Sequence, residues 1–405
     1  FRNNMIRLGI NAAGGNITTG YVINGINEIA GTNTFYHNSI YIGGTGVTTA
    51  TNQTACLKTA VTTANIRNNI FSNQRAGSSG RHYSLVLPSA STAACDYNIY
   101  SSGSVNVLST NGGTNTFGTM QAVLTALSGQ NTHSGIGDPN FINTTGAAAA
   151  VNLHLNSSNP AEGAGILISS VTDDFDGQTR SSFSPTDIGA DADNFTSPIP
   201  AANDVYPPFV SYTTISNQAP CGVATNINLQ ATITDVGSGV PTSGGNVPRV
   251  YFRRSAPSAT TWVSTAGSLN SGNGNNGTWN FTIDYSALGL TPVAGETYQY
   301  FVAAQDQATN PVNPNIGFSK FDGTTPTFTN NNVNSLVTAP TTPDAYTYLT
   351  AFSGTITVGT AGTYPTFNGA GGLFAALNGG VLTGDLTVQV ISDSNETAYT
   401  PLTSV

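Results

Sequence analysis

The stretch FYHNSIYIGG, residues 35–44, decides the fold once three relatives within the same chain are placed beneath it. FRNNMI (1–6), FYHNSI (35–40), IRNNIF (66–71) and CDYNIY (95–100) align without gaps, and the fourth column is always asparagine: Asn4, Asn38, Asn69 and Asn98. The spacings are 34, 31 and 29 residues. The first column is Phe1, Phe35, Ile66 and Cys95, and the sixth is Ile6, Ile40, Phe71 and Tyr100. The second is polar-leaning (Arg2, Tyr36, Arg67, Asp96), so inward and outward positions persist from copy to copy.

A repeat of about thirty residues belongs to solenoids, in which one unit buries its apolar face only by stacking on the next. These units are β-branched, aromatic and rich in Asn and Gly, and lack the helical spacing of apolar residues, so a parallel β-helix is expected. Rungs about 4.8 Å apart let an Asn amide bond to the Asn above and the Asn below. Asn also tolerates a left-handed bend, which places the column at a turn. The ladder residues therefore read as architecture.

The remaining sequence is also β-rich. Residues 196–208 (TSPIPAANDVYPP) read as a Pro-rich linker. The runs 226–235, 247–255, 277–285 and 296–306, with Trp262 and Trp279 as core aromatics, predict an antiparallel β-sandwich over 209–337. A second linker is expected over 338–346. Residues 347–405 then read as a short helix near Leu373–Leu377 between strands, ordered only when packed on something else.

Composition narrows the function classes. The 405-residue chain carries a net charge of −9, with only 11 Lys and Arg, two of them the lysines Lys58 and Lys320. No basic stripe fits a phosphate backbone, which argues against nucleic acid. No run of 18 apolar residues exists to span a membrane. Solubility rests on Asn, Thr, Ser and Gly, as is common outside cells. Cys56, Cys95 and Cys221 cannot all pair within one chain and read as buried small hydrophobes. Because FRNNMIRLG opens like the middle of an element, a piece of a longer polypeptide is expected.

The N-x-I/F-Y rungs, GDPNF (137–141), SNPAEGAG (158–165) and DFDGQTR…DIGAD (174–191) resemble the last coils of right-handed parallel β-helix surface proteins of Bacteroidota, over residues 1–195. TYQYFVAAQDQATN (297–310) resembles the penultimate strand of immunoglobulin-like or fibronectin-III-like spacer modules, with Tyr298 or Tyr300 as the tyrosine of a corner. The segment 354–393 resembles the N-terminal cap of a second β-helix. These resemblances imply an all-β order of C-terminal β-helix coils, sandwich and cap of the next helix. They also imply export to the cell surface, by the type IX route.

No catalytic residues are assigned. Residues 1–172 hold four acids, Glu28, Asp96, Asp138 and Glu162, and none sits in a cluster fit for lyase or hydrolase chemistry. His37, His82, His133 and His154 show no metal spacing and read as surface or turn residues. Asp173, Asp174, Asp176 and Asp187, followed by Asp191 and Asp193, offer oxygen ligands for Ca²⁺; alternatively Asp174 or Asp187 pairs with Arg180 to fasten the end of the solenoid. An EF-hand is excluded, because its twelfth position counted from Asp174 is Pro185. Tyr36 and Tyr41, with Tyr83 and Tyr97, are candidates for stacking on sugar rings. The expected function is a non-enzymatic segment of an extracellular stalk, adhesin or filament, whose partners are neighbouring repeats. A carbohydrate-binding module is the alternative, and a polysaccharide lyase or hydrolase remnant comes third.

Overall fold

The computed structural model describes residues 1–405 except 49–51, 78–80, 89–92, 128–129, 184, 196–198, 219–225, 310–315, 320–325, 397 and 404–405, and omits the side chain at position 121. Cys221 and Lys320 lie outside the described residues.

Residues 1–136 form a parallel β-solenoid with three sheets. One sheet stacks Thr34–Tyr36, Asn65–Arg67 and Ala94–Asp96, with Arg2 bridging to Tyr36. A second stacks Met5–Leu8, Ser39–Ile42, Ile70–Asn73, Ile99–Ser102 and Gly135–Ile136. The third stacks Ile23–Glu28, Gln53–Thr59, Arg81–Val86 and Leu108–Thr110. Register places like over like: Phe35 on Ile66 on Cys95, Ile40 on Phe71 on Tyr100, and Ile26 on Leu57 on Leu85 on Leu108. All three columns meet in one hydrophobic cluster. Each rung thus buries the apolar face of its neighbour, which no single rung can do for itself. Cys56 and Cys95 are free and buried in this interior.

The helix Met120–Ala126 joins the same cluster through Val123 and Leu124, alongside Tyr100 and Leu108 of the last rungs. Thr119 caps it, its side chain accepting from the Ala122 amide.

Residues beyond 136 do not simply close the end of the stack. Phe141–Asn143 pairs with Asn152–Leu155, and the chain then runs back along the outside of the second sheet. Ile70 and Ile99 precede inward residues and so point outward. Both are buried under this strap, in a cluster with Leu155, Ala161, Ala164, Ile188, Val205 and Tyr206.

The following residues form two antiparallel sheets. The first contains Phe209–Tyr212, Ile227–Thr234, Asn276–Ile283 and Ser268–Gly272; the second contains Val263–Ala266, Arg249–Ala256, Thr297–Gln305 and Ile316–Phe318. Strict alternation turns Leu229, Ala231 and Ile233 inward, where they share a cluster with Val250, Phe252, Tyr300 and Val302 of the other sheet. Trp279 is fully buried there, whereas Trp262 is half-buried and stacks under Arg253. Neither tyrosine makes the expected corner to backbone a few residues upstream. Tyr298 donates to Glu296 Oε2 (2.7 Å), and Tyr300 accepts from the Ile215 amide (2.6 Å).

The expected linker 338–346 is also corrected at its end. Asp344–Thr347 pairs with Thr297–Gln305, because Tyr346 buries its ring in the shared cluster and bonds its hydroxyl to that of Tyr285 (2.7 Å). Beyond it, Thr350–Val358 and Gly380–Val390 pair in parallel, so the chain must cross over between them. The crossover carries the helix Leu373–Asn378, whose Leu373 and Leu377 pack on Phe352 and Val358.

Candidate functional site

Asn38, Asn69 and Asn98 are fully buried and linked in series. Asn4 Nδ2 donates to Asn38 Oδ1 (2.7 Å), Asn38 Nδ2 to Asn69 Oδ1 (2.9 Å), and Asn69 Nδ2 to Asn98 Oδ1 (3.0 Å). The same acceptors take the backbone N–H of Asn4, Asn38 and Asn69 at 3.3, 3.1 and 3.0 Å. In the next rung Ser134 Oγ replaces the amide and accepts from the Asn98 N–H (3.0 Å). The remaining amide protons go to carbonyls of the adjoining strand, Phe35 and Arg67 for Asn69, Ile66 and Asp96 for Asn98. Every ladder side chain is therefore engaged within the scaffold.

The bend itself falls one residue earlier than the sequence suggested. Asn3, His37, Asn68 and Tyr97 have φ of 54°, 54°, 57° and 56°, the left-handed region. Asparagine and histidine are enriched at such positions; tyrosine is uncommon there and is held by what it touches. For Asn3, His37 and Asn68 the partner is the strap. Asn3 Nδ2 donates to the Asp173 carbonyl (2.6 Å). Asn68 exchanges two bonds with the Ile166 backbone (2.7 and 3.0 Å). Tyr97 stacks on His133 with centroids 4.5 Å apart.

His37 completes the column and, contrary to a surface role, is buried. Asn68 Nδ2 donates to its Nε2 (3.0 Å), which leaves the proton on Nδ1 to reach the Gly189 carbonyl (3.2 Å). Burial, reinforced by the Arg180 charge, lowers its pKa to about 3. A neutral imidazole is thus built into the wall. His82 is also buried, bonded to Thr54 Oγ1 through Nδ1 (2.8 Å).

The aspartate group is dispersed by the same strap. Asp174 Oδ1 accepts from the Asp176 and Gln178 amides (3.0 and 2.8 Å), and its Oδ2 accepts from Ala192 N (3.3 Å). Asp187 accepts from the Gly163 and Asp193 amides (2.8 and 3.2 Å), and burial pushes its pKa up to about 7. Both carboxylates organise backbone turns. Among the described residues neither forms an ion pair with Arg180, so the expected fastening is made differently. Arg180 donates to the carbonyls of Asp173, Gly189 and Ala190 (2.9, 3.1 and 2.9 Å) and to Asn3 Oδ1 (3.1 Å). A guanidinium has five donors in a fixed fork, which suits several carbonyls at once.

Among the described residues, two groups bring three ligand-type side chains within 4.8 Å of one another: His154, Asp176 and Asp191, and Asp204, Asp235 and Asp306. Of the six aspartates offered for Ca²⁺ in the sequence, Asp176 and Asp191 both belong to the first group. Asp176 is exposed and bonds to His154 Nε2 (2.8 Å), whereas Asp191 is buried and its Oδ2 accepts from Leu155 N (2.9 Å).

A groove of about 680 Å³ runs between the second sheet and the segment 138–145. Tyr41, Ser72, Gln74, Ser101, Asp138 and Asn140 contribute to its lining. Tyr41, Ser72 and Ser101 are register neighbours on three successive strands, so their side chains form an outward row. Gln74 Nε2 donates to Ser101 Oγ (2.6 Å). Tyr36 lies on a different sheet and half-buried, and Tyr83 is buried. Of the four tyrosines considered for sugar stacking, Tyr41 alone contributes to the groove.

In comparisons with known proteins, no family model, no curated protein and no solved structure matches the chain.

Proposed function

We propose that the chain is a non-enzymatic structural segment of a long repetitive extracellular protein, a stalk, adhesin or filament of the Bacteroidota surface type exported by the type IX route. In this reading a right-handed β-helix and a following immunoglobulin-like sandwich act as rigid spacers. The parallel pair with its helix over 347–405 is the cap of a further β-helix, and the binding partners are neighbouring repeats. The observation that carries the reading is the Asn4–Asn38–Asn69–Asn98 chain of amide bonds, in which the residue that recurs in four successive rungs is committed to holding rungs together. The recurring polar group of a binding repeat would face solvent instead.

Immunogold labelling of intact cells that produce the protein tests this. Label along fibres outside the outer membrane is expected. Label confined to the cell interior, or release of reducing sugar from polysaccharide by the purified chain, would overturn it.

The groove beside Tyr41 favours a second reading, carbohydrate binding on the side of the solenoid. An aromatic face among hydroxyl, carboxamide and carboxylate groups matches the alternating apolar and hydroxyl surfaces of a sugar.

A further inference from the structure

Three aspartates that lie far apart in sequence converge where the strap meets the antiparallel sheets. Asp204 stands at the end of the strap, Asp235 follows the strand Ile227–Thr234, and Asp306 follows the strand Thr297–Gln305. They are 0%, 5% and 1% exposed, and one carboxylate oxygen of each lies within 4.8 Å of the other two. Asp204 accepts from Tyr206 N (3.1 Å) and from the amide and hydroxyl of Ser238 (2.6 and 2.5 Å). Asp235 Oδ1 accepts from the amides of Gly237 and Gly239 (3.0 and 2.8 Å), and Asp306 Oδ1 from Ala308 N (3.0 Å). Asp235 Oδ2, in contrast, is buried with no hydrogen-bond partner among the described residues.

A buried carboxylate oxygen left without a donor, beside two further buried carboxylates, is an unfavourable arrangement unless a cation or protons compensate it. The charges acting on Asp235 are those of Asp204 and Asp306, which burial and mutual repulsion make costly to keep ionised together. The described ion pairs do not include Asp235. The loops that carry them are nevertheless held in place. Gln307 N donates to Gly239 O (3.0 Å) and Ser238 Oγ (3.1 Å), and Asn275 Nδ2 donates to Gly237 O (2.8 Å). Gly237 comes so close to Asp204 that an added Cβ would lie 2.3 Å from its carboxyl carbon. A preformed all-oxygen site of this kind suits a hard divalent cation, and the larger, less geometrically demanding Ca²⁺ best.

We propose that Asp204, Asp235 and Asp306 bind Ca²⁺, and that the ion ties the solenoid to the antiparallel sheets. Asp204 is joined to the solenoid side through its neighbours: Val205 packs in the cluster with Ile70 and Ile99, and Tyr206 donates its hydroxyl to the Pro160 carbonyl (2.7 Å). Asp235 and Asp306 each follow a strand of a different sheet. An ion shared among them stiffens the joint by raising the free energy of any opening that separates the three loops. The site does not depend on whether the protein is a stalk or a sugar binder.

The test is hydrogen–deuterium exchange of the full chain, stripped with EGTA and then given CaCl₂ or MgCl₂, together with calorimetry. Calcium is expected to bind with measurable heat. At a hundred times its dissociation constant it should slow exchange through local opening about a hundredfold in segments 204–208, 235–240 and 306–309. Asp235→Asn should weaken binding, and Asp176→Asn should leave it intact. The wild-type exchange map keeps the test decisive if Asp235→Asn fails to fold. No heat and no protection would overturn the proposal, as would protection confined to 154–193 and removed by Asp176→Asn. Equal protection by Mg²⁺ at equal concentration would overturn the assignment to Ca²⁺.

Discussion

Asn38 donates through Nδ2 to Asn69 Oδ1 at 2.9 Å while its backbone N–H shares the same oxygen at 3.1 Å. Asn69→Ala therefore removes the partner of two buried donors at once, and also deprives Asn98 Oδ1 and the Phe35 and Arg67 carbonyls of a donor. Leaving a buried polar group unpaired costs about 1–3 kcal/mol, so at least that loss is expected in urea denaturation. Asn4→Ala should cost less, because Asn4 is only half-buried and acts at the end of the series. Equal losses for the two variants would show that the ladder is not cooperative in this way.

Arg180 binds the strap and the solenoid through four oxygens, and the planar fork is what permits it. Arg180→Lys keeps the charge but cannot reach Asp173, Gly189 and Ala190 together. A loss of about 1.5–3 kcal/mol is expected, the range for hydrogen bonds to charged groups. Limited proteolysis should then cut first within 166–193. Cleavage elsewhere first, at an unchanged rate for this segment, would mean that the apolar contacts of Ile70 and Ile99 hold the strap unaided.

The ladder and the inward columns were legible in the sequence because each demands one residue type at each rung. The left-handed column was not, since its demand falls on the backbone and its occupants are Asn, His, Asn and Tyr. What engages the side chains of Asn68 and His37 is the strap, which arrives 98 residues later for Asn68 and 152 for His37. Within the run of aspartates from 173, Asp174 and Asp187 serve backbone amides, a role that sequence alone does not distinguish from that of a ligand. The convergent trio has no spacing signal, because Asp204, Asp235 and Asp306 come together only after two sheets and the strap have formed. Local cues were present in DVGSG and DQAT, each an Asp followed by turn residues, but nothing local pairs them.

Carbohydrate binding, if it occurs in the groove, depends on Tyr41. Tyr41→Ala should abolish any signal on a glycan array, while Tyr36→Ala, on another sheet, should leave it unchanged. Stacking on an aromatic face is worth about 0.5–1.5 kcal/mol beyond area burial, enough to move a weak ligand out of range. Loss of the signal in Tyr36→Ala with Tyr41→Ala unaffected would place the sugar elsewhere.

His37 supplies a pH dependence whose sign follows from its burial. Its pKa in the folded protein is about 3, against an ordinary 6.5, so the unfolded chain binds the extra proton between those values. Its contribution to stability is complete above pH 6.5 and is lost as pH falls toward 3, at up to about 1.4 kcal/mol per pH unit. Asp187 opposes it: raised to about 7 from 3.8, it favours the folded state on the acid side, and that contribution falls as pH rises from 3.8 to 7. His37→Asn separates the two. Asparagine suits φ near 54°, as Asn3 and Asn68 show in the same column. The lost bond to Asn68 adds a pH-independent cost of about 1 kcal/mol. Measured by urea denaturation, the variant should be less stable than wild type at pH 7.5 and gain on it steadily down to pH 4.5. A difference between the two proteins that does not change with pH would mean that His37 is not held neutral by the strap.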